Sequence, residues 1–323
     1  MIEKILKAVK SSSKKRGRNI TVGAVVGFLL SCTAVMGADE NYLLIKKEGE
    51  EIKFSTDNGT TAGTDNPYEE NTWDGTNYVN NRALNSTSNS YGLRLEGDLG
   101  NVNFTNNGSI TATGSSNSYG INNERGTVGT LTNNGIITGT STGSNGYGIN
   151  NEDGTIGTLT NNGIIVGTTP IYRNSYGIYN DGGTIGTLTN NGIITGTSTS
   201  GAYGIYNEDG TIGTLTNNGV ITRATSTHRN GYGIYNNDTT IEILLNNGVI
   251  TGTSTSGNGY GIYNKENASI PAVENTGIIY GKTNAVFNGG GETGKVKRTN
   301  NYGLLISGST NVVDGISIVA HDA

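Results

Sequence analysis

The residues of this chain that could do chemistry fall into acidic, glycine-rich, basic and amide groups. The acidic group is Glu152-Asp153, Asp181, Glu208-Asp209, Asp238 and Glu266, which return at one place in a repeated pattern. Stacked carboxylates could collect Ca2+, a cation that wants about six to eight oxygens. The Gly-Gly-x-Gly-x-Asp calcium pattern is absent, and Glu124-Arg125 and Lys265-Glu266 break the stripe, so a solvated turn explains these residues better. Gly289-Gly-Gly-Glu-Thr-Gly-Lys295-Val296 comes close to a phosphate-binding loop. Val296 stands where Ser or Thr would hold Mg2+, and no strand–helix–strand pattern surrounds it.

The basic groups are Lys295-Val-Lys-Arg298 with Glu292, and His228-Arg229 with Arg223. A β-helix can cut polysaccharides with carboxylates and bases, but neither cluster offers a paired acid and base. His228 and His321 lie far apart without cysteine partners, which argues against zinc. Asn-Asn-Gly recurs with Asn133, Asn161, Asn190 and Asn217 as its first residue. Asparagine suits turns and stacks amide on amide, whereas sugar binding would need these amides exposed. Thr195-x-Thr197-x-Thr199 resembles the threonine ladders of ice-binding solenoids, but is expected in a variable loop where no flat ladder forms. The reading is therefore no catalytic residue, no cofactor and no metal.

The elements that position these residues are copies of one unit. About 28 residues are written repeatedly from Tyr91 onward, each copy opening on Tyr-Gly at Tyr91, Tyr119, Tyr147, Tyr176, Tyr203, Tyr232 and Tyr260. Degenerate copies follow at Asn284-Ala285 and Asp314-Gly315. A fixed period of this size implies a solenoid, in which each copy buries its apolar face on the next. Within a copy, Leu159-x-Asn161-x-Gly163-x-Ile165 alternates with period two, and Tyr203-x-Ile205-x-Asn207 does the same. Ile212 and Leu215 are three apart, which predicts a corner at Gly213-Thr214. Three short strands per copy follow, bounded by Gly, Asn and Asp turns, with no helical period after residue 38.

The fold class predicted is all-β: a parallel β-helix of about eight coils, roughly 38 Å long at the usual strand spacing. Leu131, Leu159, Leu188 and Leu215 are expected to form a core ladder, with the tyrosines and asparagines as further core and turn ladders. Insertions fall in Thr140–Gly146, Thr168–Ser175 and Thr225–Gly231, so these loops gather on one side and are the first candidate for a binding face.

Residues 1–38 differ from the rest. They carry seven Lys or Arg and one acid, leaving 14 basic and 25 acidic residues of the chain's 21 and 26, net −11. That balance offers no footprint for nucleic acid. The basic start, the apolar run Ile20–Val35 and Met36-Gly-Ala38 read as a secretory signal peptide, cleaved after Gly37 or Ala38. An apolar run of about 16 residues is short for a spanning helix, so no membrane span is expected after cleavage. Leu29-Leu-Ser-Cys32 is also a weak lipobox, which would make the chain a surface lipoprotein. Cys32 is the only cysteine, so a cleaved chain has no disulfide.

Residues 39–90 lack the full repeat and are read as an N-terminal cap with first irregular strands, Tyr42–Ile45 and Ile52–Phe54 among them, and Trp73 as a core plug. Residues 91–323 are the repeats, incomplete at Gly315–Val319, with no cap evident. An open edge of that kind predicts end-to-end self-association.

The repeat Tyr-Gly-Ile-Tyr-Asn through Gly-Thr-Ile-Gly-Thr-Leu-Thr-Asn-Asn-Gly-Ile-Ile-Thr-Gly resembles the passenger repeats of fusobacterial-type autotransporters, and the leader is similar too. The likeness covers residues 1–38 and about 91–318. It implies export to the cell surface, outer membrane or exterior of a Gram-negative bacterium, and adhesion to a host or bacterial receptor, protein or glycan. The C-terminal barrel of that family, with strands of about ten residues, is missing from this sequence. The function expected is a non-catalytic adhesive solenoid. The alternatives are a polysaccharide-active β-helix enzyme and a surface lipoprotein solenoid.

Overall fold

The computed structural model describes residues 41–57, 61–87, 90–224, 229–289, 296, 299–308 and 318–320. The leader, with Cys32, Gly37 and Ala38, lies outside them. So do His228, His321, Glu292, Lys295, Lys297, Arg298 and Gly315 to Ser317.

Among the described residues every element is a strand. The strands form three sheets of 10, 11 and 9 members. Successive copies contribute in turn to sheet 1, sheet 2 and sheet 3, which makes a parallel β-solenoid of about eight turns with about 28 residues per coil. One coil is Gly146–Glu152 in sheet 1, Thr155–Asn161 in sheet 2 and Ile164–Thr169 in sheet 3. Pairing is parallel and in register: Tyr147 on Tyr176, Leu159 on Leu188, Ile165 on Ile194.

Three inward columns make the core. Sheet 2 supplies Leu131, Leu159, Leu188 and Leu215, sheet 3 the Ile137-to-Ile279 column, and sheet 1 the Ile121-to-Ile262 column, all fully buried. Each such side chain contributes about 1.5–3 kcal/mol by leaving water. A composition with only 33% hydrophobic residues suffices because these positions add up along the axis.

The expected corner at Gly213-Thr214 is instead a bend inside one strand, Thr211–Asn217. Gly213 drops out of the ladder, so Ile212 and Leu215 both face inward. A similar interruption corrects the expected parity of Tyr203. Gly204 is skipped between the pairs Tyr203–Tyr232 and Ile205–Ile234, so Ile205 and Asn207 point inward while Tyr203 stacks outside with Tyr206. No side chain fits at that glycine column. A Cβ on Gly204 would lie 2.6 Å from the carbonyl oxygen of Gly233 and 2.7 Å from Ile221 Cγ2. Thr195 and Thr197 also lie in a strand of sheet 3, Ile193–Ser198, rather than in a loop. Thr195 is only 2% exposed, so burial rather than loop geometry denies it a role as an exposed ladder.

The first coil is built from residues before Tyr91. Leu43–Glu48, Asn77–Asn80 and Ala83–Ser86 each join one sheet in parallel. Glu51–Ser55 and Thr72–Trp73 fold back antiparallel on two of them, occupying the open edges. Below them the end of the core is filled by aromatics: Phe54 lies 5.3 Å from both Trp73 and Tyr78, and Tyr78 stacks on Phe104 at 5.7 Å. Toward the other end, Ile318–Ala320 pairs with Thr299–Asn301 in sheet 2.

Alternation gives a direct test. Leu159 is fully buried and Thr160 is partly exposed on the opposite side of the same strand. Leu159→Asp should destabilise by about 3–5 kcal/mol and Thr160→Asp by well under about 1 kcal/mol, read by thermal or urea unfolding. Equal losses would mean that the inward column is misassigned.

Candidate functional site

The amide groups are consumed by structure. In Asn-Asn-Gly the first asparagine points inward and the second outward. Asn133, Asn161, Asn190 and Asn217 are fully buried, and each Nδ2 donates to the Oδ1 of the next: 2.8 Å for Asn133 to Asn161, Asn161 to Asn190, and Asn190 to Asn217. The same Nδ2 reaches backbone oxygens, as Asn161 does to Ile193 at 3.1 Å. The outer asparagines form a parallel exposed ladder, Asn162 to Asn134 at 2.8 Å and Asn191 to Asn162 at 2.8 Å. A second buried ladder runs through sheet 1, with Asn123 to Asn151 and Asn151 to Asn180 both at 2.6 Å. An amide is both donor and acceptor, so it satisfies itself when stacked, and the inner amides are shielded from any ligand.

The acidic corner divides in the same way. Asp153, Asp209 and Asp238 sit at φ 52°, 50° and 50°, the left-handed region that a tight turn demands. Glu152 and Glu208, which precede two of them, and Asp181, which precedes Gly182 at φ 62°, face the outer side of sheet 1. Among the described residues no group of three or more His, Cys, Asp or Glu converges as metal ligands would.

The outer side of sheet 1 is aromatic, although Tyr147, Tyr176, Tyr232 and Tyr260 are themselves buried there. Tyr119, Tyr147, Tyr176, Tyr203, Tyr232 and Tyr260 stack ring on ring, with centroids 5.1 Å apart between Tyr176 and Tyr203 and between Tyr203 and Tyr232. A second column starts at Tyr179 and runs through Tyr206, Tyr235 and Tyr263 to Phe287, with Tyr206 and Tyr235 at 4.8 Å. The columns touch edge to face, Tyr232 against Tyr235 at 4.8 Å. Earlier coils have Asn150, Asn122 and Arg94 in the second column. Arg94 lies over the Tyr91 ring at 5.3 Å and pairs with Glu96 at 2.6 Å.

Carboxylates edge this aromatic face. The Tyr179 hydroxyl is shared between Asp181 Oδ2 at 3.1 Å and Glu208 Oε2 at 3.0 Å. Tyr206 donates to Glu208 Oε1 at 3.2 Å, and Asn237 Nδ2 donates to it at 2.7 Å. Partial burial raises the Asp181 carboxyl above its usual range; the Tyr179 hydrogen bond opposes the rise, and the charge of Glu208 adds to it. Burial likewise pushes the hydroxyls of Tyr147 and Tyr232 up to about 12. The partly exposed second column can offer ring and phenol edges, and the acids carboxylate oxygens, to a partner.

The sequence reading found the first tyrosine column and both asparagines, but missed the second column as a surface. The signal was present: Tyr179, Tyr206, Tyr235 and Tyr263 each stand three residues after the Tyr of Tyr-Gly. It was obscured by the strict alternation assumed across the skipped glycine. The candidate loops Thr140–Gly146 and Thr168–Ser175 border the first column, where Asn145 and Asn174 donate to Tyr147 and Tyr176 at 3.1 and 3.0 Å.

Two measurements follow. Asn161→Leu strands the Asn190 acceptor in the interior and leaves the Asn133 amide only its backbone contacts at 3.2 Å, at about 1–3 kcal/mol for the orphan. Asn162→Ala, on the exposed ladder, should cost under about 1 kcal/mol in the same unfolding assay. A buried phenol is held neutral in the fold but titrates near 10 when unfolded. The stability this gives is complete below about pH 10 and is lost as pH rises through about 12. Tyrosinate absorbance should therefore show Tyr147 and Tyr232 resisting ionisation until the solenoid itself unfolds; a titration centred near pH 10 with the fold intact would refute the burial of these rings. In comparisons with known proteins, no family model, no curated protein and no solved structure matches this chain.

Proposed function

We propose that this chain is a non-catalytic solenoid, displayed at or released from the surface of a Gram-negative bacterium, that works by adhesion. It is read as a passenger-type segment of an autotransporter, exported by the leader that ends at Gly37 or Ala38. The observation that carries the reading is the partly exposed aromatic column from Tyr179 to Phe287 on sheet 1, backed by the largely buried column from Tyr119 to Tyr260 and edged by Glu152, Asp181 and Glu208. Rigid aromatic rings supply contact area at low entropic cost, and tyrosine is among the residues that dominate binding hot spots. Repetition along the axis adds avidity, because each coil presents nearly the same group. The partner class is a surface receptor, protein or glycan, on a host or bacterial cell. No helix among the described residues is long and apolar enough to cross a membrane.

The solenoid fold supports the likeness to autotransporter passengers, and the ladders give most of the asparagines a structural task. The test uses beads coated with the full chain and bacterial or host cells as targets. Tyr206→Ser combined with Tyr235→Ser should reduce bead attachment about tenfold, as expected for losing contacts at a hot spot. Thr160→Ser, on the outer side of sheet 2, should leave attachment unchanged. Attachment that ignores the tyrosine pair would remove sheet 1 as the adhesive face. Turnover of an acidic polysaccharide, lost when Lys295 or Lys297 is replaced, would establish the enzyme alternative instead. Fatty-acid labelling dependent on Cys32 would establish the lipoprotein.

A further inference from the structure

One coil departs from the repeat at two places that meet in space. In sheet 3 a column of glycines runs through Gly139, Gly167 and Gly196, and resumes at Gly252 and Gly281. Arg223 stands between them, paired with Gly196. The column has no room for a side chain: a Cβ on Gly196 would lie 2.5 Å from the Ser175 carbonyl oxygen and 2.8 Å from the Tyr203 nitrogen. Arg223 is accommodated with loss of backbone pairing on one side, although the Thr222 and Thr251 hydroxyls still meet there at 2.6 Å. Pairing toward the next coil shrinks to Val220–Val249 and Ile221–Ile250, then stops.

The arginine does not escape to solvent. It is 3% exposed, and its Nε, Nη1 and Nη2 are buried without a hydrogen-bond partner among the described residues. Its side chain lies against Gly231, in space that a Cβ there would take. Among the described residues, the titratable groups that act on it are the hydroxyls of Tyr203 and Tyr232, neither of them a carboxylate. Burial lowers its pKa to about 10, so it remains a cation at neutral pH.

The second departure concerns Tyr203. In other coils an asparagine two residues earlier donates to the tyrosine hydroxyl, as Asn145 does to Tyr147 at 3.1 Å and Asn230 to Tyr232 at 3.0 Å. Before Tyr203 that place is Gly201. The missing amide leaves the Tyr203 oxygen without that donor, within electrostatic reach of the buried guanidinium, while its O–H stays available to donate. A stripped cation with none of its donors engaged is among the most costly arrangements in a protein interior. A guanidinium fork is shaped to donate two parallel hydrogen bonds to the oxygens of one anion.

We propose that Arg223 and Tyr203 hold a small oxyanion, a carboxylate or a sulfate, between this coil and the next. The guanidinium donates two hydrogen bonds to its oxygens and the Tyr203 hydroxyl donates another. The near-complete burial of Arg223 limits the ligand to a small ion or to the acidic group of a slender molecule.

Thermal unfolding of the full chain tests this at constant ionic strength, with sodium chloride exchanged for sodium sulfate, sodium acetate or sodium glucuronate. The midpoint should rise with at least one oxyanion and saturate. Arg223→Gly restores the glycine column; it should fold, melt higher than the parent in chloride, and lose the oxyanion dependence. Tyr203→Phe removes the donating hydroxyl and should weaken the apparent affinity about tenfold, the scale of a lost hydrogen bond to a charge. Glucuronate acting well below the acetate concentration would identify a sugar acid as the ligand. Equal action by acetate or sulfate would identify a free ion. A parent that responds to no oxyanion beyond chloride, or an Arg223→Gly variant that responds as the parent does, would overturn the proposal.

Discussion

In-register parallel stacking is the constraint from which the rest of this structure follows. Each residue pairs with its own counterpart one coil away, Leu131 on Leu159 and Leu159 on Leu188. A side chain is therefore admitted only if it is compatible with a copy of itself at the strand spacing of about 4.8 Å. Aliphatic groups pass by burying apolar area, and tyrosines pass by stacking their rings. Asparagine passes best among polar groups because its amide donates at one end and accepts at the other, so a column of any length satisfies itself internally. Carboxylates fit the same test less well, since like charges in a column repel, although Glu124 does pair with Glu152. Asp181 and Glu208 are placed in consecutive coils only with Tyr179 between them as donor.

Glycine decides which groups of sheet 1 meet the outside. The glycine after each repeat tyrosine is skipped by the ladder, and the parity of the strand changes across it. Without that skip, Tyr203 would face the interior with Ile205, where a column of rings would displace the aliphatic core. With it, Tyr203 and Tyr206 come to the same outer side, three residues apart, and the two aromatic columns touch. The packing that forbids a side chain at Gly204 is thus the same feature that assembles the aromatic face.

This explains what was legible beforehand. The period, the three strands per coil and the leucine and asparagine ladders could be read directly, because stacking makes like residues neighbours whatever the detailed path of the chain. The side on which each residue falls depends on that path, and strict alternation misplaced Tyr203 and turned a bend at Gly213 into a corner. The threonine strand Ile193–Ser198 was hidden for a related reason: Thr195 resembles the loop residues that follow it, although it pairs with Val166 and Thr222 inside sheet 3. The first coil escaped notice because Tyr78-Val-Asn-Asn-Arg-Ala-Leu84 keeps the apolar and amide places but replaces glycine by Arg82. Asn80 nonetheless donates to Asn106 at 2.8 Å as the first member of the inner ladder.

A solenoid also dictates how a departure from the repeat is absorbed. Each coil has two neighbours and nearest-neighbour terms dominate, so a misfit can be confined to one interface if the other stays paired. Arg223 shows that division. Toward the preceding coil the ladder from Val220 to Ala224 is intact, and toward the following coil it breaks after Ile221. The position of its side chain against Gly231, which begins the next sheet 1 strand, lies on the broken side. Downstream pairing recovers at once, with Val249 to Gly252 matched to Ile278 to Gly281. The disturbance therefore spans a single gap between coils, bounded by regular structure on both sides. Arg223, a cation with no hydrogen-bond partner among the described residues, sits at this one interface, while the flanking coils keep their regular pairing.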